Sequence, residues 1–294
     1  MLRFALLWLG VFVGMAYGQL NLSIKMDRSE FILFEPVLVK VVVGNASPQE
    51  IHFNSKEGQS WLGFRVRGAK GAFIFPDQKF ESESLTLKPG ENKSFEVNVT
   101  PYYDIRETGA YEVQVTVAQG ERHVVSNWSR FTVGKGQVIW SKSVPVNGVM
   151  RAFTLIRFAI STTTTYLYVQ VEEIEKNIVY ACYPIGAITM HADPEKYFDS
   201  DGSLHLLFPK GGGSYCYSRI DVGGNQVHQA TYASTVLGKP KLTKGEDGSV
   251  LVMGGQMEKK GEQRKSLSRG QKYLPEAPKG DKELDFRSAP IKRN

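Results

Sequence analysis

Two cysteines, Cys182 and Cys216, and five histidines are the side chains best suited to covalent or metal chemistry in this 294-residue chain. The histidines, His52, His123, His191, His205 and His228, show no helical ligand spacing, so no metal site is expected. His205 stands between Leu204 and Leu206 and, on a strand, would face the outer side. Asp199-Ser-Asp201-Gly-Ser203 begins like a calcium loop, but the later ligands and the closing Glu do not follow. A hairpin or Asx turn accounts for it without a metal. Gly211-Gly-Gly-Ser214 carries Cys216 where a nucleophile elbow needs its last Gly, and no Gly-Lys-Ser/Thr follows. It reads as a flexible hairpin loop. No short motif marks a catalytic residue or a cofactor, and none is assigned.

What the cysteines do depends on where the chain folds. Met1-Leu2-Arg3 is a short basic start, Phe4 to Met15 is an apolar run, and Ala16-Tyr17-Gly18 supplies small residues before Gln19. This reads as a signal peptide cut after Gly18. The run of about a dozen residues is shorter than the roughly 20 a spanning helix needs. The mature chain is therefore expected to be secreted or periplasmic, with no transmembrane segment. In an oxidising compartment a Cys182–Cys216 disulfide is the favoured reading, with two buried thiols as the alternative. The bridge would close about 35 residues and contribute about 3–4 kcal/mol.

The net charge of +6 is unevenly placed. Residues 256–294 hold eleven Lys/Arg against six Asp/Glu, and Arg3 lies in the leader, so residues 19–255 are neutral. Charge therefore gives no reason to expect nucleic-acid binding by the body. From Gln256 onward apolar periodicity stops, and residues 256–294 are expected to be a disordered basic tail.

Period-two alternation dominates the body. Val37, Val39, Val41 and Val43 share one face, as do Phe95, Val97 and Val99, and Val113, Val115 and Val117. Gly, Pro, Asn and Asp punctuate these runs at hairpin intervals, which predicts an all-β chain. Residues 19–135 form the first unit, in which Glu35-Pro36 opens a strand and Lys88-Pro89-Gly90-Glu91 makes a tight turn. The spacing Asp104, Gly109, Tyr111 and Val113 resembles the tyrosine corner of immunoglobulin-like sandwiches. With the Pro-Gly-Glu turn and the Glu-Pro opening, the unit resembles bacterial extracellular immunoglobulin-like domains. The resemblance implies a β-sandwich, with Tyr111 pinning a strand entry and no intersheet disulfide at Val113.

Residues 136–255 form a second antiparallel β domain. Tyr166–Val171 and Ile178–Pro184, then Asp201–Phe208 and Ser214–Asp221, repeat a strand, a turn and an aromatic strand with Cys. Another start follows at Asp247-Gly-Ser. The pattern resembles blades of secreted sialidase-type β-propellers, although the Trp closing their Asp box is missing after Ser203 and too few units exist to close a ring. A small sandwich or a partial blade stack is expected.

Trp61, Trp128 and Trp140, with Tyr166, Tyr168, Tyr180, Tyr183, Tyr215 and Tyr217, could pack within sheets or present rings to a sugar or protein. Asn21, Asn45, Asn92, Asn98 and Asn127 head Asn-x-Ser/Thr sequons. The expected function is that of an exported, non-enzymatic binding or structural protein of the cell envelope or exterior, recognising a protein or glycan. The alternative is a secreted carbohydrate-active hydrolase or accessory domain with its site in the blade-like unit. A third reading is an inhibitor-like module using the loop Arg67–Phe80.

Overall fold

Val39, Val41 and Val43 lie wholly out of water on one side of a strand, and Val113, Val115 and Val117 do the same on another. Burying each such side chain contributes about 1.5–3 kcal/mol, so the two apolar rows are driven together. A computed structural model of the chain describes residues 20–55, 60–68, 70–236, 238–258 and the backbone of 291–292. No helix forms among the described residues. The expected signal peptide, residues 1–18, lies outside them, as does most of the expected tail.

The first sandwich contains β1 (Leu20–Lys25), β2 (Glu30–Ile32), β3 (Leu38–Asn45), β4 (Ile51–Phe53), β5 (Leu62–Arg67) and β6 (Phe73–Ile74). It continues through β7 (Leu85–Leu87), β8 (Asn92–Asn98), β9 (Gly109–Gln119), β10 (Arg122–Val125) and β11 (Ser129–Gly134). One sheet has the order β1-β3-β8, and the facing sheet has the order β2-β11-β9-β5-β6, with β10 hanging on β9. The β2–β11 pair is parallel, and the other pairs of these two sheets are antiparallel. Phe53, Trp61, Phe64 and Phe131 fill the space between the layers. At the tight turn the Glu91 N–H donates to the Lys88 carbonyl (3.0 Å), and Gly90 takes φ +74°. That is the turn position where Gly avoids the Cβ clash of other residues.

The second sandwich is built from two consecutive meanders. β12 (Gln137–Val146), β13 (Val149–Ala159), β14 (Thr165–Glu173) and β15 (Ile178–Ala187) form the first. β16 (Glu195–Phe198), β17 (Leu204–Gly211), β18 (Ser214–Ile220) and β19 (Gln226–Ala233) form the second. Phe153, Leu155, Leu167 and Val169 of one meet Leu204, Leu206, Phe208 and Ile220 of the other. A hairpin of β20 (Lys241–Lys244) and β21 (Val250–Met253) lays Leu242 and Val250 on the outer face of the second meander, against Leu207 and Tyr217. The sheets are open, and none closes into a barrel.

One expectation, the disulfide, needs correction. Within the expected tail, β22 (Gln256–Met257) joins β19, and β23 (Ile291–Lys292) pairs with the start of β15. Each takes up backbone groups on an edge that would otherwise stay unpaired. The Cys182–Cys216 disulfide is absent, and both residues remain thiols. Their strands belong to different sheets and their side chains to different clusters. Cys216 lies between the meanders, whereas Cys182 faces away from that core, toward Ile32 of the first sandwich. Its Sγ sits 3.5 Å from the Leu33 carbonyl oxygen.

Candidate functional site

Alternation that buries Phe64 and Val66 of β5 necessarily turns Arg65 and Arg67 to the open side of the sheet. Strand register then assembles a row across four strands. Phe73 lies opposite Arg67, Arg67 opposite Glu112, and Glu112 opposite Arg130. Arg65 lies opposite Gln114 in the neighbouring row, and Trp128 stands one residue before β11.

These side chains form a stack. The Arg67 guanidinium carbon is 4.2 Å from the Trp128 ring centre and 4.6 Å from that of Phe73. The Arg65 carbon is 4.8 Å from Phe73 and 5.8 Å from Trp128. Cations over aromatic faces are attracted by the ring quadrupole, by about 0.5–1 kcal/mol at exposed sites. The stack is braced from below. Buried Gln114 donates to the Ser126 carbonyl (2.7 Å) and accepts from Arg65 Nη1 (3.3 Å). Arg130 Nε donates to Glu112 (2.7 Å), while Arg67 is 3.9 Å from the same carboxylate. Two guanidiniums, those of Arg67 and Arg130, therefore share one carboxylate. Phe75, two residues beyond Phe73, is 82% exposed. The face offers guanidinium N–H groups and aromatic ring surface.

The other polar constellation lies on the second meander. His205 Nε2 meets Asp199 Oδ2 at 2.9 Å, and His205 Nδ1 meets the Tyr217 hydroxyl at 2.8 Å. Asp199 Oδ1 accepts the Asp201 and Ser203 N–H groups (3.0 and 2.8 Å), which is the Asx turn expected for Asp199–Ser203. Arg219 reaches both Asp199 and Ser203 Oγ at 3.3 Å. His205 is on the outer side of its strand yet buried, at 4% exposure. Burial alone would raise the Asp199 carboxyl, but hydrogen bonds from His205 and Ser203, with the Arg219 charge, hold it below its ordinary value. Both carboxylate oxygens are committed to the turn and the strand, so the network positions structure. Among the described residues no group of three or more His, Cys, Asp or Glu is arranged to hold a metal.

Tyr111, singled out with Asp104 and Gly109, donates its hydroxyl to the Glu107 carbonyl four residues upstream (2.8 Å) and stacks on Phe131. Asp104 pairs instead with Arg106 (3.0 Å), and Gly109 starts β9 opposite Val133. Most of the aromatics noted in the sequence serve packing. Trp61 and Tyr168 are buried, Tyr183 donates to the Gly224 carbonyl (2.9 Å), and Trp140 leans on Phe198. Trp128 alone of that set joins the open face. Arg67, Phe73 and Phe75 lie in the segment Arg67–Phe80 noted in the sequence, but their meeting with Arg65 and Trp128 depends on register between β5, β6 and β9.

No family model and no curated protein matches the chain. A solved CARDB domain from Pyrococcus furiosus, in complex with di-metal ions, is similar over 40% of this chain and 90% of that chain, at 20% identity. The TM-score is 0.27, so the fold rests on the strands described above. The likeness to sialidase blades finds no support in these comparisons.

Proposed function

We propose that this chain is an exported, non-enzymatic binding protein of the cell envelope or exterior, and that it recognises its partner through the open face of the β2-β11-β9-β5-β6 sheet. The supporting observation is the braced Arg65–Arg67–Phe73–Trp128 stack beside the exposed ring of Phe75. Arginine and aromatic side chains are enriched where interfaces carry most of their binding energy. The braces remove much of the rotamer entropy that such long side chains would otherwise lose on binding. The immunoglobulin-like reading of residues 19–135 belongs to the same proposal, since that architecture presents sheet faces to partners.

Photo-crosslinking from position 75 in the native envelope fraction tests the reading. A single dominant adduct that disappears in Arg65→Gln/Arg67→Gln is expected. Equal labelling from position 75 and from exposed Tyr197 on the second sandwich would count against it.

A further inference from the structure

The apolar contact between the two sandwiches is narrow, and a charged cluster sits in it. Ile32 and Phe34 of the first sandwich meet Ile156, Tyr168, Val179 and Cys182 of the second. Contacts between domains that are small and partly polar leave relative motion as the default. The chain crosses from one sandwich to the other through Lys135 and Gly136, between the end of β11 and the start of β12. A Cβ on Gly136 would strike the Ile156 side chain and come within 3.1 Å of the Arg157 carbonyl oxygen, so this joint lies directly on β13. The sandwiches can part by pivoting there.

The first sandwich reaches across with one strained turn. Phe34 has φ +67°, an outlier for a bulky residue, and such conformations persist only where the surroundings impose them. Glu35 holds this turn twice. Its N–H donates to the Ile32 carbonyl (3.2 Å), and its carboxylate accepts the Ile32 N–H (3.0 Å). The same carboxylate pairs with Arg28, whose Nη1 donates to the Tyr168 hydroxyl of β14 (2.8 Å). From the second sandwich the titratable groups at this cluster are Tyr168 on β14 and Cys182 on β15, while β13 brings Ile156 and Phe158. One buried carboxylate thus keeps the turn in shape and joins it to the neighbouring sandwich.

We propose that the turn Ile32–Glu35 is a latch between the sandwiches that loosens as pH rises, letting them pivot at Lys135–Gly136 before either unfolds. The latch stands apart from whatever the open face of the first sandwich binds. Its sign follows from what opening does to Glu35. Burial raises this carboxyl above its ordinary 4.5, and Arg28 lowers it again only in part. Once the seam opens, water reaches the group and the ordinary value returns. The closed seam therefore holds the proton more tightly than the open one. Its advantage is full below pH 4.5 and falls as pH rises through the raised value. Between those limits the opening constant grows by up to about tenfold per pH unit. Burial pushes Tyr168 further above its ordinary 10.0. Burial would lower Arg28, but the Glu35 pairing outweighs it and raises the group above 12.5, so neither side chain titrates in that range.

The two thiols report on the latch. Cys182 lies at it, with Sγ 3.5 Å from the Leu33 carbonyl oxygen, whereas Cys216 lies between the meanders. The purified full chain is labelled with a dipyridyl disulfide, which reacts with thiols in acid and in neutral solution, at steps from about pH 4 to about pH 8. Peptide mass spectrometry then gives the rate at each cysteine. Cys182 is expected to react faster than Cys216. Its rate, divided by that in Glu35→Gln to cancel the thiol's own pH dependence, should climb about tenfold or more across the range. Tyr168→Phe keeps the carboxylate but removes the hydroxyl that joins the sandwiches, and should speed Cys182 several-fold at every pH without changing Cys216. Labelling of Cys182 no faster than Cys216 would overturn the inference, since only global unfolding would then expose it. A ratio that stays flat with pH, or no effect of Tyr168→Phe, would overturn it equally. If Glu35→Gln does not fold, Tyr168→Phe and the native ratio of Cys182 to Cys216 labelling decide the matter.

Discussion

Glu35 carries a carboxyl group where almost no water reaches it, at 2% exposure. Arg28 pairs with it and reaches on to the Tyr168 hydroxyl (2.8 Å), and the Ile32 N–H donates to its second oxygen (3.0 Å). Burial pushes this carboxyl above its ordinary 4.5, and the Arg28 pairing offsets that only in part. The folded state thus binds the proton more tightly than the unfolded chain. The stability linked to this group is full below pH 4.5 and is lost as pH rises through the raised value. Glu35→Gln should flatten that decline in urea titrations run at several pH values. Glu35→Ala leaves Arg28 and the Ile32 N–H without their acceptor and should cost about 3–5 kcal/mol. Asp199 has the opposite sign. Its carboxyl is held below its ordinary 3.8, so its contribution is present above that pH and fades as pH falls through the lowered value. Asp199→Asn should lower stability at neutral pH and make the acid decline shallower in the same titrations. Sequence alone showed Glu35 as the opener of a strand. Its role was hidden because Tyr168 lies 140 positions from Arg28. The sequons divide on the same physical ground. Asn45 and Asn98 are each 2% exposed, the Asn45 amide donating to the Gln49 and Leu87 carbonyls and the Asn98 amide oxygen accepting the Thr100 N–H. Asn21, Asn92 and Asn127 are exposed.

Elements were more legible than their pairings. The alternating valines of β3 and β9 face inward as their spacing required, because a one-residue slip would put each row into water. The Pro89-Gly90 turn was equally plain, and Gly90→Ala should cost about 1 kcal/mol, since its φ of +74° suits a residue without Cβ. Phe153 is fully buried between the meanders, and Phe153→Ala should cost about 3–5 kcal/mol by chemical denaturation. What alternation does not contain is register between distant strands. That is why Trp128 and the segment Arg67–Phe80, each conspicuous in the sequence, could not be placed together from it. It is also why Cys182 and Cys216, alike in sequence setting, turn to different clusters. Thiol titration of the denatured chain without reductant should return two thiols. A value of zero would restore the disulfide.

At the scale of the whole molecule the two sandwiches meet along one seam. Ile32 and Phe34 of the first press on Ile156, Tyr168 and Cys182 of the second, with the Arg28–Glu35–Tyr168 pairing beside them. The seam uses β2 and the segment after it, at the margin of the six-stranded sheet, and leaves the Arg65–Trp128 face on β5, β9 and β11 uncovered. A second sandwich that stiffens the first without masking its open face suits a binding protein. The most direct test is hydrogen–deuterium exchange of the chain with and without its envelope fraction. The account predicts slowed exchange in β5, β6 and residues 128–130, abolished in Arg65→Gln/Arg67→Gln. Protection confined to the β20–β21 hairpin or to the β16–β19 meander would contradict it.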